Sequence, residues 1–135
     1  MLSRRVLSVG QCGADHPGIQ WLLRSKFDAE VVPADSAEGA LAELRRQRYD
    51  LVLANRIFDE GGSGLDFISA LKSDDTLSRI PVMLVSDLPA AQQQAVALGA
   101  LPGFGKAALH RPETAERLAA ALGGGAVADA PGRIS

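Results

Sequence analysis

The chain has 135 residues, enough for one domain with its own core and too few for two. Its formal net charge of −2 leaves no basic stripe of the kind a nucleic-acid or anionic membrane surface needs. The one cysteine, Cys12, excludes an internal disulfide and fits a reducing compartment. No apolar run reaches a membrane span, and the short apolar stretch after Arg4 and Arg5 breaks at Gly10, so a cytoplasmic protein is expected rather than a secreted one.

Arg5 to Val9 is a first short strand, stopped by Gly10 and a polar loop from Gln11 to Asp15. Pro17 suits the first turn of a helix, with Asp15 or His16 at its cap, and Ile19, Leu22, Leu23 and Phe27 recur at helical spacing. Trp21 lies off that apolar stripe and is a candidate interface residue, since tryptophan is enriched where proteins meet; packing against a neighbouring loop is the alternative. Ala29 to Pro33 reads as a second strand, and its proline suggests an edge position. Ser36 opens a second helix whose last turn carries Arg45, Arg46 and Arg48, the charge sign that favours a helix carboxyl end.

Within Tyr49 to Asn55, the four residues Leu51 to Ala54 form an unbroken apolar run, the mark of a strand buried on both faces, and it ends at Asn55. A loop rich in glycine and acid, 58–64, leads to a third helix marked by Leu65, Phe67, Ile68 and Leu71. Ile80 to Val85 is a fourth strand ending at Ser86. An Ala- and Gln-rich helix starts at Pro89. A weak fifth strand surrounds Phe104 and is followed by Lys106, and Pro112 opens a last helix. From 123 to 135 the composition shifts to Gly, Ala and Pro, expected to be a flexible tail outside the 1–122 domain. Strand and helix alternate five times. The expected fold is therefore an α/β three-layer sandwich, flavodoxin-like (βα)5, with a parallel five-stranded sheet in the order 2-1-3-4-5.

Over residues 4 to about 122 the chain resembles the receiver domain of bacterial two-component response regulators. The resemblance is carried by Arg5–Val9, by Glu30–Leu41, by Tyr49–Ala54, by Ile80-Pro81-Val82-Met83-Leu84-Val85-Ser86 and by Ala97-Leu98-Gly99-Ala100, in shared order and spacing. The resemblance implies an aspartate at the end of strand 3 that accepts a phosphoryl group from a histidine kinase. It also implies an acidic pair after strand 1 that holds a divalent metal, a hydroxyl after strand 4 and a lysine after strand 5. Carried over, the hydroxyl falls on Ser86 and the lysine on Lys106, but the acceptor falls on Asn55 and the acidic pair on Gly10 and Gln11. Ala107 replaces the proline that usually follows the lysine, and the aromatic switch position falls on Gly103, with Phe104 one place off and oppositely oriented. The loops after strands 1 and 3 are longer than in the family.

Phosphoryl acceptance needs a carboxylate nucleophile, and magnesium is held through carboxylates; Gly10, Gln11 and Asn55 supply neither charge. The expectation is a pseudo-receiver: not an enzyme, without magnesium or another cofactor, not phosphorylated in the ordinary way, and acting through protein contacts. The resemblance places those contacts on the helix 4–strand 5–helix 5 face, with a histidine kinase, an output protein or a second copy in a homodimer, and without nucleic acid or membrane. The alternative is a small-molecule sensor with its ligand in the vacated strand-end pocket. An enzyme of flavodoxin-like type is the weaker third, for no nucleophile–base pair stands out. Two readings stand for Lys106: a fixed Lys106–Asn55–Ser86 polar set, or a solvated lysine. For Asp15 they are a helix cap or a stray acid reaching the pocket. Cys12 and His16 make a weak metal signal, His110 reads as an exposed loop residue, and Gly61-Gly62-Ser63-Gly64 lacks the lysine of a phosphate loop.

Overall fold

Successive residues of the central strands belong to opposite hydrophobic layers, and this fixes the architecture. In the computed structural model, which describes residues 4–11, 14–58 and 62–122, Leu51 and Leu53 join one core cluster while Val52 and Ala54 join the other, all fully buried. A strand with no solvent face must be covered on both sides, and the helices provide that cover.

The elements run β1 (Arg4–Val9), α1 (His16–Phe27), β2 (Ala29–Ala34), α2 (Ala37–Arg46), β3 (Leu51–Asn55), α3 (Gly64–Ser73), β4 (Val82–Val85), α4 (Pro89–Ala97), β5 (Leu101–Phe104), a short 3₁₀ turn (Lys106–Ala108) and α5 (Pro112–Ala121). The five strands are parallel and lie in the order β2-β1-β3-β4-β5, the expected flavodoxin-like order. One core layer packs Leu7, Val9, Val52 and Leu84 against Phe67, Ile68 and Leu71 of α3 and Ala91 and Ala95 of α4. The other packs Val6, Leu51, Leu53, Met83 and Phe104 against Ile19, Leu22, Leu23 and Phe27 of α1 and Leu118 of α5.

Local signals account for most element boundaries. Ser36 caps α2 by accepting from the Gly39 amide at 2.9 Å, and Ser63 caps α3 by accepting from the Asp66 amide at 3.0 Å. β2 is an edge strand, paired with β1 alone, so Pro33 interrupts no second ladder. The fourth strand is shorter than its apolar run suggests. It starts at Val82, because Pro81 has no amide to donate; its carbonyl instead accepts from Val52 at 2.9 Å. Among the described residues no helix is long and apolar enough to cross a membrane. The proposed tail at 123–135 lies outside the described residues.

Candidate functional site

In a doubly wound sheet the strand carboxyl ends on either side of the reversal in strand order form a crevice. Here that reversal lies between β1 and β3, and it brings Gly10 and Gln11 together with Asn55. Ser86 and Lys106, which follow the neighbouring β4 and β5, complete the crevice rim.

Asn55 is clasped by backbone oxygens. Its amide nitrogen donates to Gly10 O at 3.0 Å and to Ile57 O at 2.9 Å, and its side-chain oxygen accepts from the Arg56 amide at 3.0 Å. All of its donors and one acceptor are therefore used by the protein itself. This pattern requires an amide: a carboxylate at the same place would present an acceptor to two acceptors.

Gly10 is at φ +72°, a conformation L side chains rarely adopt. Space explains it further. A Cβ at this position would stand 2.2 Å from Cδ1 of Phe58 and 2.7 Å from Cε1. Phe58 is 1 % exposed and meets Phe67 edge-on with ring centroids 6.4 Å apart. Its backbone is held by a small hairpin-like closure after β3. Phe58 N donates to Gly62 O at 2.8 Å, Gly64 N donates to Arg56 O at 2.8 Å, and Ile57 and Ser63 form an antiparallel bridge.

Lys106 is not part of a Lys106–Asn55–Ser86 polar set; that expectation is corrected. Its ammonium pairs with Asp15 at 2.7 Å, both side chains being partly exposed. Asp15 does stand at the N-cap of α1, but its side chain makes no capping hydrogen bond. The reason is charge: an ammonium within reach is a stronger partner for a carboxylate than backbone amides facing solvent. Ser86 is buried, and its hydroxyl accepts from the Leu88 amide at 3.1 Å. Asp87 accepts from the Ala107 amide at 3.2 Å, which ties the segment bearing Lys106 to the end of β4.

Gln11 lies at the crevice with both side-chain polar atoms buried, and among the described residues neither has a hydrogen-bond partner; the same holds for Nδ1 of His16. Cys12, and with it the Cys12–His16 pairing, lies outside the described residues, as does Gly61. Trp21 is 56 % exposed and packs edge-on against exposed His110, centroids 5.8 Å apart. Contact with a loop is thus present and most of the indole still faces solvent.

A hollow of about 310 Å³ remains at the rim, lined by Asn55, Arg56, Ile57, Val85, Ser86, Asp87, Leu88 and Lys106. It is near the lower end of the range for ligand pockets and opens between exposed side chains. Among the described residues no group of three or more His, Cys, Asp and Glu is placed to hold a metal ion. Gly10 O and Ile57 O both accept from the Asn55 amide, and among the described residues Asp15 pairs with Lys106 while Asp87 accepts from the Ala107 amide.

Sequence reasoning missed two residues. Phe58 was read as the start of a loop, although one large apolar side chain among glycines and acids has to find cover somewhere. Gln92 was not singled out within the Ala- and Gln-rich helix. Its amide turns inward, donating to Leu84 O at 2.9 Å and Ser86 O at 3.0 Å and accepting from the Gly103 amide at 3.1 Å. It thereby staples α4 to both β4 and β5 beside the position where the family resemblance implies an aromatic side chain. Phe104 is buried on the opposite side, toward α1 and α5, as expected.

Solved structures share this fold. A protein described as a response regulator from Chloroflexus aurantiacus J-10-fl superposes with a TM-score of 0.80 at 18% identity, covering 89% of this chain and 98% of that one. The signal receiver domain of a signal transduction histidine kinase from Syntrophus aciditrophicus gives 0.72 at 19%, covering 96% and 98%. The Mn2+-bound form of the response regulator Rcp1 gives 0.66 at 18%, covering 96% and 100%. The chain has the receiver-domain fold. No family model matches the sequence, and no curated protein matches it either.

Proposed function

We propose that this chain is a receiver-like signalling module of a two-component pathway that works through protein contacts without aspartyl phosphorylation. The observation that carries the reading is the Asn55 side chain. It sits at the end of β3, donates to Gly10 O and Ile57 O, and offers no nucleophilic carboxylate. An acyl phosphate cannot form on an amide. With no carboxylate at residues 10, 11 or 55 to hold a divalent metal, little offsets the charge of an incoming phosphoryl group. The reading assigns no catalytic residue and no metal.

The contact surface in this reading is the α4–β5–α5 face. Leu88, Val96, Leu98 and Leu101 are exposed there, four of the six large apolar side chains on the described surface that are open to solvent. A groove of about 670 Å³ is lined by one of them, Val96, together with Pro89, Gln92, Gln93, Pro102 and Arg117 among others. Apolar exposure concentrated on one face marks an interaction site. The partner is a histidine kinase, an output protein or a second copy of the chain, and Trp21 offers a separate contact on α1.

The test is a pair of amide NMR spectra of the uniformly labelled chain, recorded without and with Mg2+ and beryllofluoride, a phosphoryl mimic. The expected result is that Asn55, Ser86 and Lys106 do not shift. Saturable shifts at those three residues would overturn the reading.

A further inference from the structure

We propose that Phe58 is the residue that keeps divalent cations out of the strand-end crevice, and that the Asn55 amide and the Phe58 ring together replace the cation as the bridge between β1 and the β3–α3 loop. This rests on the reading of the site given above and deepens it: the site is closed by added groups as well as by missing charges.

Two independent observations carry the inference. The first is steric. The Phe58 ring is confined between two glycines: a Cβ at Gly10 would meet Cδ1 at 2.2 Å, and one at Gly62 would meet Cδ2 at 3.1 Å. The ring cannot swing away freely, because it is 1 % exposed, is packed against Phe67, and is carried on backbone pinned by the Phe58–Gly62 and Gly64–Arg56 hydrogen bonds. A side chain of any kind at residue 10 has to displace an aromatic ring from its packing. Native cores resist such overfilling because they are already close-packed.

The second is polar. Hard cations bind where several oxygens converge on one point. Gly10 O and Ile57 O do converge, at 3.0 and 2.9 Å, on the Asn55 amide nitrogen. An amide NH2 carries partial positive charge and two fixed donors, so it satisfies both carbonyls in a geometry that a small cation would otherwise satisfy. The hydrogen bonds tie the end of β1 to the start of the β3–α3 loop through residue 55. The ring fills the space that a side chain at residue 10 would need.

It follows that restoring a carboxylate at residue 55 does not by itself restore cation binding. Mn2+ binding by the full chain, read from water-proton relaxation, tests this in the wild type, Asn55→Asp, Gly10→Asp with Asn55→Asp, and that double variant combined with Phe58→Ala. The expected result is no saturable binding while Phe58 is intact, and saturable Mn2+ binding once it is shortened. Phe58→Leu in the same background keeps an apolar filler, and guards against a truncation that unfolds the chain; the expected gain is smaller and in the same direction. Equal Mn2+ affinity with Phe58 intact and Phe58 shortened, in chains that keep their far-ultraviolet dichroism, overturns the role given to the ring. Binding by the wild type instead overturns the reading of the site as a whole, so the two failures are distinguishable.

Discussion

Replacing Asn55 with aspartate is the substitution that would normally be chosen to restore a phosphorylation site, and here it is expected to weaken the fold. The wild-type amide donates to Gly10 O and Ile57 O. Each such bond contributes about 1 kcal/mol net, and an acceptor left facing another acceptor adds about 1 kcal/mol more. With Asn55 half-buried, water relieves part of that cost. The destabilisation at neutral pH is then about 2–3 kcal/mol. The sign of its pH dependence follows from the same geometry. Two carbonyl oxygens favour the protonated carboxyl, so the folded-state pKa of the new group lies above its unfolded value. Stability gained from the proton is fully present below the unfolded pKa and is lost as pH rises through the folded one. Urea unfolding followed by circular dichroism, at pH 4 and pH 7 on both chains, reads the difference directly. The penalty for Asn55→Asp is expected to be larger at pH 7, and 10 mM-scale Mg2+ is expected not to remove it, since a hard cation needs open oxygen ligands. An aspartate variant as stable as the wild type at pH 7, or one rescued by Mg2+, refutes the reasoning.

Three further outcomes are expected. Gly10→Ala, which puts a methyl group into the Phe58 ring at a left-handed backbone position, costs about 3 kcal/mol in denaturant unfolding, and Phe58→Leu in the same chain reduces that cost. Ser63→Ala removes the cap at the start of α3 and costs about 1 kcal/mol, with the largest loss of hydrogen-exchange protection in the first turn of α3. Asp74 accepts from the Thr76 side chain and amide and pairs with Arg45 at 2.7 Å, which pushes its pKa down to about 2. Because the folded value is depressed, the stability it gives is present above the unfolded pKa of about 4 and fades as pH falls toward the folded one. An acid titration of Asp74→Asn, followed by circular dichroism, is expected to show a shallower loss of stability over that window than the wild type shows.

The layering of the fold was legible because burial on both faces leaves unbroken apolar runs, as in Leu51–Ala54, and because Ser36 and Pro89 punctuate helices in ways that depend on neighbours in sequence. The start of β4 was not, since Ile80 continues the apolar run and only the missing Pro81 amide ends the ladder. The residues of the crevice could be located by spacing within the receiver-like pattern, but not their partners. Lys106 meets Asp15 across the sheet ends, from a loop whose added length left its path open. Phe58 escaped notice because its neighbours are glycines and acids, so no periodicity announces that it turns inward. Gln92 escaped for a related reason. A glutamine in an Ala- and Gln-rich helix looks like solvent-facing polarity until Gly103, a side chain short, leaves room beside β5 for its amide.

The claim on which the account stands is that the end of β3 cannot carry a phosphoryl group. Intact mass measurement of the full chain after incubation with acetyl phosphate and Mg2+ addresses it most directly. The account predicts one unmodified species, identical to a control without donor. A hydroxylamine-labile phosphoryl adduct mapped to the crevice would contradict it.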